Sequence, residues 1–137
     1  MSTLSVDTIQ GKTTAGTVAM PAGTMLQVVH ASIVGYSTTS STSNTSTGLT
    51  VTITHKFSSS KVLSTGNMTG CYSNAVTRYA TYELYKGGSF LAKIHQLVGY
   101  SHINGQINYG VDWGFSYLDS PNTTSATTYD LQWAAQN

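Results

Sequence analysis

Apolar and polar residues alternate with a period of two in several stretches of this chain and sustain a helical period in none, so the pattern predicts strands and no helix. Residues 49–55 place Leu49, Val51 and Ile53 on one face and Thr50, Thr52 and Thr54 on the other, which is how a half-buried strand with a solvated outer face reads. The longest such run is residues 107–117, where Ile107, Tyr109, Val111, Trp113, Phe115 and Tyr117 share one face and Asn108, Gly110, Asp112, Gly114 and Ser116 the other. Residues 127–134 predict a last strand with Tyr129, Leu131 and Trp133 inward. The β-branched content of residues 25–36 predicts a strand there, and residues 62–72 predict another, lightened by Gly66 and Gly70. Residues 78–86 and 89–97 flank Gly87-Gly88, a two-residue connection whose tolerance of positive φ suits a type I′ or II′ hairpin turn. Turns are expected at Pro21-Ala-Gly23, residues 57–61 and residues 119–122, with a low-complexity loop over residues 37–47. Six or seven strands at this spacing predict an all-β fold, a single jelly-roll-like antiparallel β-sandwich.

Residues 1–24 break the pattern. They are rich in Thr and Gly, poor in apolar groups and free of any sustained period. Their burial cannot offset the roughly 1–2 kcal/mol per residue of backbone entropy lost on ordering, so they need a surface to lie on. The expected organisation is an extended attachment arm, residues 1–24, ahead of a β-sandwich domain, residues 25–137. Val6, Ile9, Val18 and Met20 are the sparse apolar anchors of that arm, in the spacing that strand addition to a partner requires.

Composition shapes the surface. Charged residues make up 8% of the chain and the net charge is +1, against a typical charged share of ~25%. Ser and Thr supply about three residues in ten, beside 13 Gly and 9 Tyr. Such a surface is polar without being charged, which suits a protein held in place by neighbours. It offers no basic field for nucleic acid and no charge run for a membrane surface, and no run approaches the ~20 apolar residues of a membrane-spanning helix. The first residues lack the basic and apolar regions of a signal peptide, so synthesis in the cytoplasm without export by that route is expected. The lone cysteine, Cys71, excludes an intramolecular disulfide and is expected as a small buried apolar group. Sequons at Asn44, Asn67 and Asn122 are expected by chance in a chain so rich in Ser and Thr.

Candidate chemistry is sparse. The acids Asp7, Glu83, Asp112, Asp119 and Asp130 and the histidines His30, His55, His95 and His102 are scattered. His95 and His102 sit seven apart across an expected strand end, which is not a metal-ligand spacing. Surface or inter-subunit histidines are therefore expected. Glu83 and Asp112 fall on polar faces of predicted strands, where two acids can form a glycosidase dyad, but no nucleophile elbow, phosphate loop or histidine-rich helix accompanies them. No catalytic residue, metal ligand or cofactor is assigned. Most of the tyrosines lie on the apolar phase of their strands; Tyr36, Tyr72 and Tyr100, at strand ends beside polar or Gly-rich segments, are the candidates for exposed aromatic contacts, and aromatic faces of this kind stack on sugar rings.

The opening Leu4-Ser-Val-Asp-Thr-Ile-Gln-Gly-Lys-Thr-Thr-Ala-Gly-Thr-Val-Ala-Met-Pro-Ala-Gly23, the stretch Thr47-Gly-Leu-Thr-Val-Thr-Ile-Thr54, the motif Ser59-Ser-Lys-Val-Leu63 and the segment Ser116-Tyr-Leu-Asp-Ser-Pro-Asn-Thr-Thr-Ser-Ala-Thr-Thr-Tyr129 resemble a family of virion surface proteins of tailed bacteriophages, particularly those of cyanobacteria and marine bacteria. The resemblance spans nearly the whole chain. It implies a small β-sandwich that assembles as a homotrimer, with its arm attached to the major capsid protein or another virion protein. Chains of this pattern continue past the last Thr-Thr-Tyr strand, so either a final strand pair is absent here or a partner completes the sheet. A short arm with a trimeric head suits a non-enzymatic capsid decoration or cement protein on the virion surface. The alternative is a short tail or head fibre that binds a host surface glycan.

Overall fold

The computed structural model describes residues 24–25, 27–71, 79–98 and 111–136. Six strands lie among the described residues: β1 (Thr45–Thr54), β2 (Val62–Cys71), β3 (Tyr79–Lys86), β4 (Ser89–Val98), β5 (Val111–Asp119) and β6 (Ala126–Gln136). Every pairing among them is antiparallel, and no helix occurs among the described residues. One sheet has the order β1-β6-β3-β4 and the other holds β2 and β5. The fold is all-β, with the two sheets facing each other.

Each strand follows its alternation. In β1, Leu49, Val51 and Ile53 are half-buried and the intervening threonines exposed. In β6, Tyr129 and Leu131 are buried and Trp133 half-buried. The β3-β4 hairpin turns at Gly87 and Gly88, with φ of 55° and 81°, between the paired residues Lys86 and Ser89. Positive φ at both central residues is the type I′ geometry, which glycine adopts without strain.

At its start β1 departs from regular pairing. Ser46 faces Gln132 while Thr50 faces Asp130, so residues 47–49 oppose Leu131 alone. Gly48 takes a φ of 89°, and the Thr47 hydroxyl donates to the Leu131 carbonyl at 2.8 Å while accepting from the Leu49 amide at 3.1 Å. The side chain of Thr47 thus stands in for missing ladder bonds, which brings into β1 residues expected to be loop.

The core lies between the sheets. Tyr82 and Leu131 from the four-stranded sheet meet Trp113 from the two-stranded sheet, with Leu49, Met68, Ile94, Phe115 and Trp133 packed around them. Tyr82 and Trp113 cross at 56° with centroids 4.8 Å apart, inside the range where aromatic pairs add to simple burial.

Three expectations are corrected. The stretch 25–36 joins no sheet among the described residues; Val34 is 98% and Val28 73% exposed, because strand-forming side chains do not by themselves supply the backbone pairing that makes a strand. Val111, expected inward, is exposed at the start of β5. His55 is buried, and His95 stacks on Trp113 with centroids 4.5 Å apart and rings within 12° of parallel. Neither is a surface histidine, since each has an aromatic or backbone partner inside the fold.

Candidate functional site

Three polar groups converge where β5 ends. Lys86 has the inward parity of Tyr82 and Leu84, and its Nζ donates to Asp119 Oδ2 at 2.9 Å and Oδ1 at 3.1 Å. The Tyr129 hydroxyl donates to the same Oδ2 at 2.7 Å. Burial alone lifts the Asp119 carboxyl, but the hydrogen bond from Tyr129 and the Lys86 ammonium outweigh it and hold the group below the usual carboxylate range. Burial, together with the adjacent carboxylate, pushes the Tyr129 phenol well above its ordinary value. Each group satisfies the others, so the cluster staples β5 to β3 and β6.

A second cluster fills the far part of the core. His95, Trp113, Tyr82 and Trp133 form a chain of ring contacts. Burial raises the Tyr82 phenol above its ordinary range, and the neighbouring Cys71 adds to the effect. Cys71 is half-buried against this cluster, close to its expected role.

A cleft of about 2260 Å³ lies on the β1 and β2 side, walled by both sheets and by much of the stretch 24–40. Small-molecule pockets run to ~1,000 Å³, so this space has the scale of a polypeptide segment. β1 contributes Thr47, Leu49, Val51 and Ile53 from its inward face and Thr54 at its end, and the floor includes Tyr129, Leu131 and Trp133. β2 contributes every residue from position 62 to 71. Successive strand residues point to opposite faces, so a strand that lines a cleft with both parities is presenting its edge. Among the described residues β2 has a ladder with β5 alone. The cleft wall holds Lys56 and Lys61 and, among the described residues, no carboxylate. His55 closes one end, its Nδ1 3.2 Å from the Ser125 carbonyl and its buried Nε2 without a hydrogen-bond partner.

On the opposite, outer face of the four-stranded sheet, Asn44 Nδ2 donates to Glu83 Oε2 at 2.6 Å and to the Tyr85 hydroxyl at 2.8 Å. The Tyr85 ring meets Phe90 edge-on, with centroids 6.0 Å apart at 81°, and Phe90 is 58% exposed. Glu83 is thus engaged on this sheet, while Asp112 on β5 accepts from the Gly70 amide at 2.7 Å. Among the described residues, no three His, Cys, Asp or Glu side chains gather as a metal site requires.

No family model, curated protein or solved structure matches the chain. Of the residues singled out from sequence, Tyr36 is 93% exposed and lies at the cleft. Tyr72, Tyr100 and the anchors Val6, Ile9, Val18 and Met20 lie outside the described residues. Sequence reasoning missed the Lys86, Asp119 and Tyr129 staple, although the parity of β3 places Lys86 on the apolar face and so signals a buried partner. It also missed the edge that β2 turns to the cleft, for which the signal is the uncharged, small-residue character of residues 62–71.

Proposed function

We propose that this chain is a non-enzymatic structural protein of a tailed-phage virion, a homotrimeric capsid decoration or cement protein with a jelly-roll-like head anchored through residues 1–24. It is made in the host cytoplasm and carried on the virion surface against the major capsid protein or another virion protein. One observation carries the reading beside the resemblance: among the described residues an apolar cleft opens beside a strand, β2, that carries no charge and pairs on one side, a surface suited to work as part of an assembly. A cement protein adds binding free energy that only the assembled lattice collects. Particles stripped of it are expected to release DNA at lower temperature while adsorbing to cells normally. Deleting residues 1–20 is expected to abolish incorporation and leave the head folded; normal occupancy by the truncated chain overturns the role of the arm.

The second reading, a short fibre or spike that binds a host surface glycan, is favoured by the exposed Phe90 beside Tyr85 and the Asn44 and Glu83 polar groups. Ring faces next to amide and carboxylate groups suit a sugar. On that reading stripped particles keep their thermal stability and lose adsorption.

A further inference from the structure

The outer face of the four-stranded sheet carries a patch that takes no part in the core or the cleft. The ladders set Ser46, Gln132, Glu83 and Lys93 in one row across it. Thr50, Asp130, Tyr85 and Phe90 form the next row. All of these side chains are polar or aromatic. With strands ~4.8 Å apart and a rise of ~3.4 Å per residue, the two rows span about 14 Å by about 7 Å. That is about 100 Å², far below the ~800 Å² that a stable protein interface buries on each partner, so the patch has the scale of a small ligand.

Its carboxylates are held in place by neutral donors. Asn44 Nδ2 donates to Glu83 Oε2 at 2.6 Å and to the Tyr85 hydroxyl at 2.8 Å. Ser46 Oγ donates to Asp130 Oδ1 at 2.6 Å, and Gln132 Nε2 to Oδ2 at 2.8 Å. Among the described residues neither carboxylate is in an ion pair. Both amide hydrogens of Asn44 are spent inside the patch, so what points outward is rich in acceptors: the second oxygen of Glu83 and the amide oxygens of Asn44 and Gln132. A matching ligand brings hydrogen-bond donors. Next to these acceptors stands Phe90, 58% exposed and braced edge-on by Tyr85, which asks for an apolar face on the same ligand. Two carboxylates stand against an anion and the exposed Lys93, across from Glu83 in register, against a cation. Hydroxyl donors on the rim of an uncharged, flat apolar body describe a pyranose. Because the acceptors are already fixed by internal bonds, such a ligand has little side-chain ordering to offset.

We infer that this patch binds a neutral pyranose, with the apolar face of the sugar on the Phe90 ring and its hydroxyls donating to Glu83, Asn44 and Gln132. The inference rests on the glycan-binding reading above and names the class of sugar: neutral hexosides are taken and acidic ones refused.

Saturation-transfer NMR on the full chain, titrated with methyl β-glucoside, methyl β-galactoside, methyl α-mannoside and methyl β-glucuronide, is the test. Transfer to at least one of the neutral glycosides is expected, strongest at ring C–H protons, and none to the glucuronide. Phe90→Leu keeps the bulk, removes the ring and is expected to weaken binding about tenfold. Glu83→Gln is the second variant, read in its place if Phe90→Leu lacks the near-ultraviolet signature of packed Trp113. No transfer to any neutral glycoside overturns the inference, even where stripped particles lose adsorption and the glycan-binding reading stands. Equal transfer in the parent and the variant overturns it by putting the sugar elsewhere on the molecule, and transfer to the glucuronide as strong as to the neutral sugars overturns the class. The glycan-binding reading fails separately, on stripped particles that adsorb normally.

Discussion

The two ends of the inter-sheet space are built from the same alternating pattern and reach opposite outcomes. On the β5 side the inward positions are Trp113, Phe115 and Tyr117; Trp113 spans the ~10 Å between stacked sheets to meet Tyr82, His95 and Leu131, with Phe115 packed against them. On the β2 side the matching positions are Val62, Ser64, Gly66 and Met68; Met68 reaches the core cluster, the smaller three are too short to span the gap, and the cleft remains. Alternation decides which face is inward; side-chain volume decides whether the inside closes. Gly66 shows the link between the two ends: a Cβ there would sit 2.6 Å from the Phe115 ring, so the large residue of β5 occupies the space that a side chain of β2 would need.

The sharpest way to break the contrast is to empty the closed end. Trp113→Ala removes the ring that touches Tyr82, His95 and Phe115 and is expected to cost about 3–5 kcal/mol, read as a lower urea midpoint with an unchanged slope. Met68→Ala, whose side chain borders the open cleft, is expected to cost less, because that site is already incompletely packed. Equal losses would show the two ends to be packed alike.

Next in size is the staple. Asp119→Ala leaves the buried Tyr129 hydroxyl without its acceptor and is expected to cost about 1–3 kcal/mol; Lys86, whose side chain is 30% exposed, turns to water. The dependence on pH follows from the lowered carboxyl of Asp119. Its contribution is full above the unfolded value of ~3.9 and is lost as pH falls below that toward the folded value. The raised phenol of Tyr129 acts at the other limit: its contribution is full below ~10 and is lost as pH rises above it. Urea midpoints of parent and variant are therefore expected to differ most at neutral pH and to converge in acid.

These effects bear on what the sequence makes legible. Leu49, Val51 and Ile53, Tyr129 and Leu131, and the Gly87-Gly88 hairpin are local features: period two and two consecutive glycines determine face and turn without reference to the rest of the chain. Residues 25–36 read equally well as a strand and form none among the described residues, because composition does not fix which backbone, if any, a segment pairs with. The staple is non-local, joining positions 86, 119 and 129 through topology, and the cleft arises from a mismatch in volume between two strands distant in sequence, whose facing residues include Gly66 and Phe115, 49 positions apart. Fold class follows from local pattern; the site follows from which strands face each other.

Gly66→Ala tests the link between the ends. The added methyl group forces the Phe115 ring to move, and overpacking of this kind costs about 1–3 kcal/mol. Phe115 itself borders the cleft, so it has room to swing away, and the loss is expected near the lower limit, with a change in the near-ultraviolet spectrum from the neighbouring Trp113. A loss as large as that of Trp113→Ala would mean that the cleft offers the ring no space.

The smallest effect is expected at the uncovered segment, and it is the one that separates a single copy from an assembly. Val34 is almost fully exposed and Val28 nearly so, and substitutions at such positions normally stay within about 0.5 kcal/mol. In dilute, monomeric protein Val28→Ser with Val34→Ser is therefore expected to leave the urea midpoint unchanged. Raising the protein concentration adds the free energy of association to the parent's apparent stability, so the parent midpoint is expected to climb with concentration and that of the variant to stay flat. Parallel behaviour of the two across concentration would mean that these side chains remain in water in the assembly as well, and that copies meet through another surface.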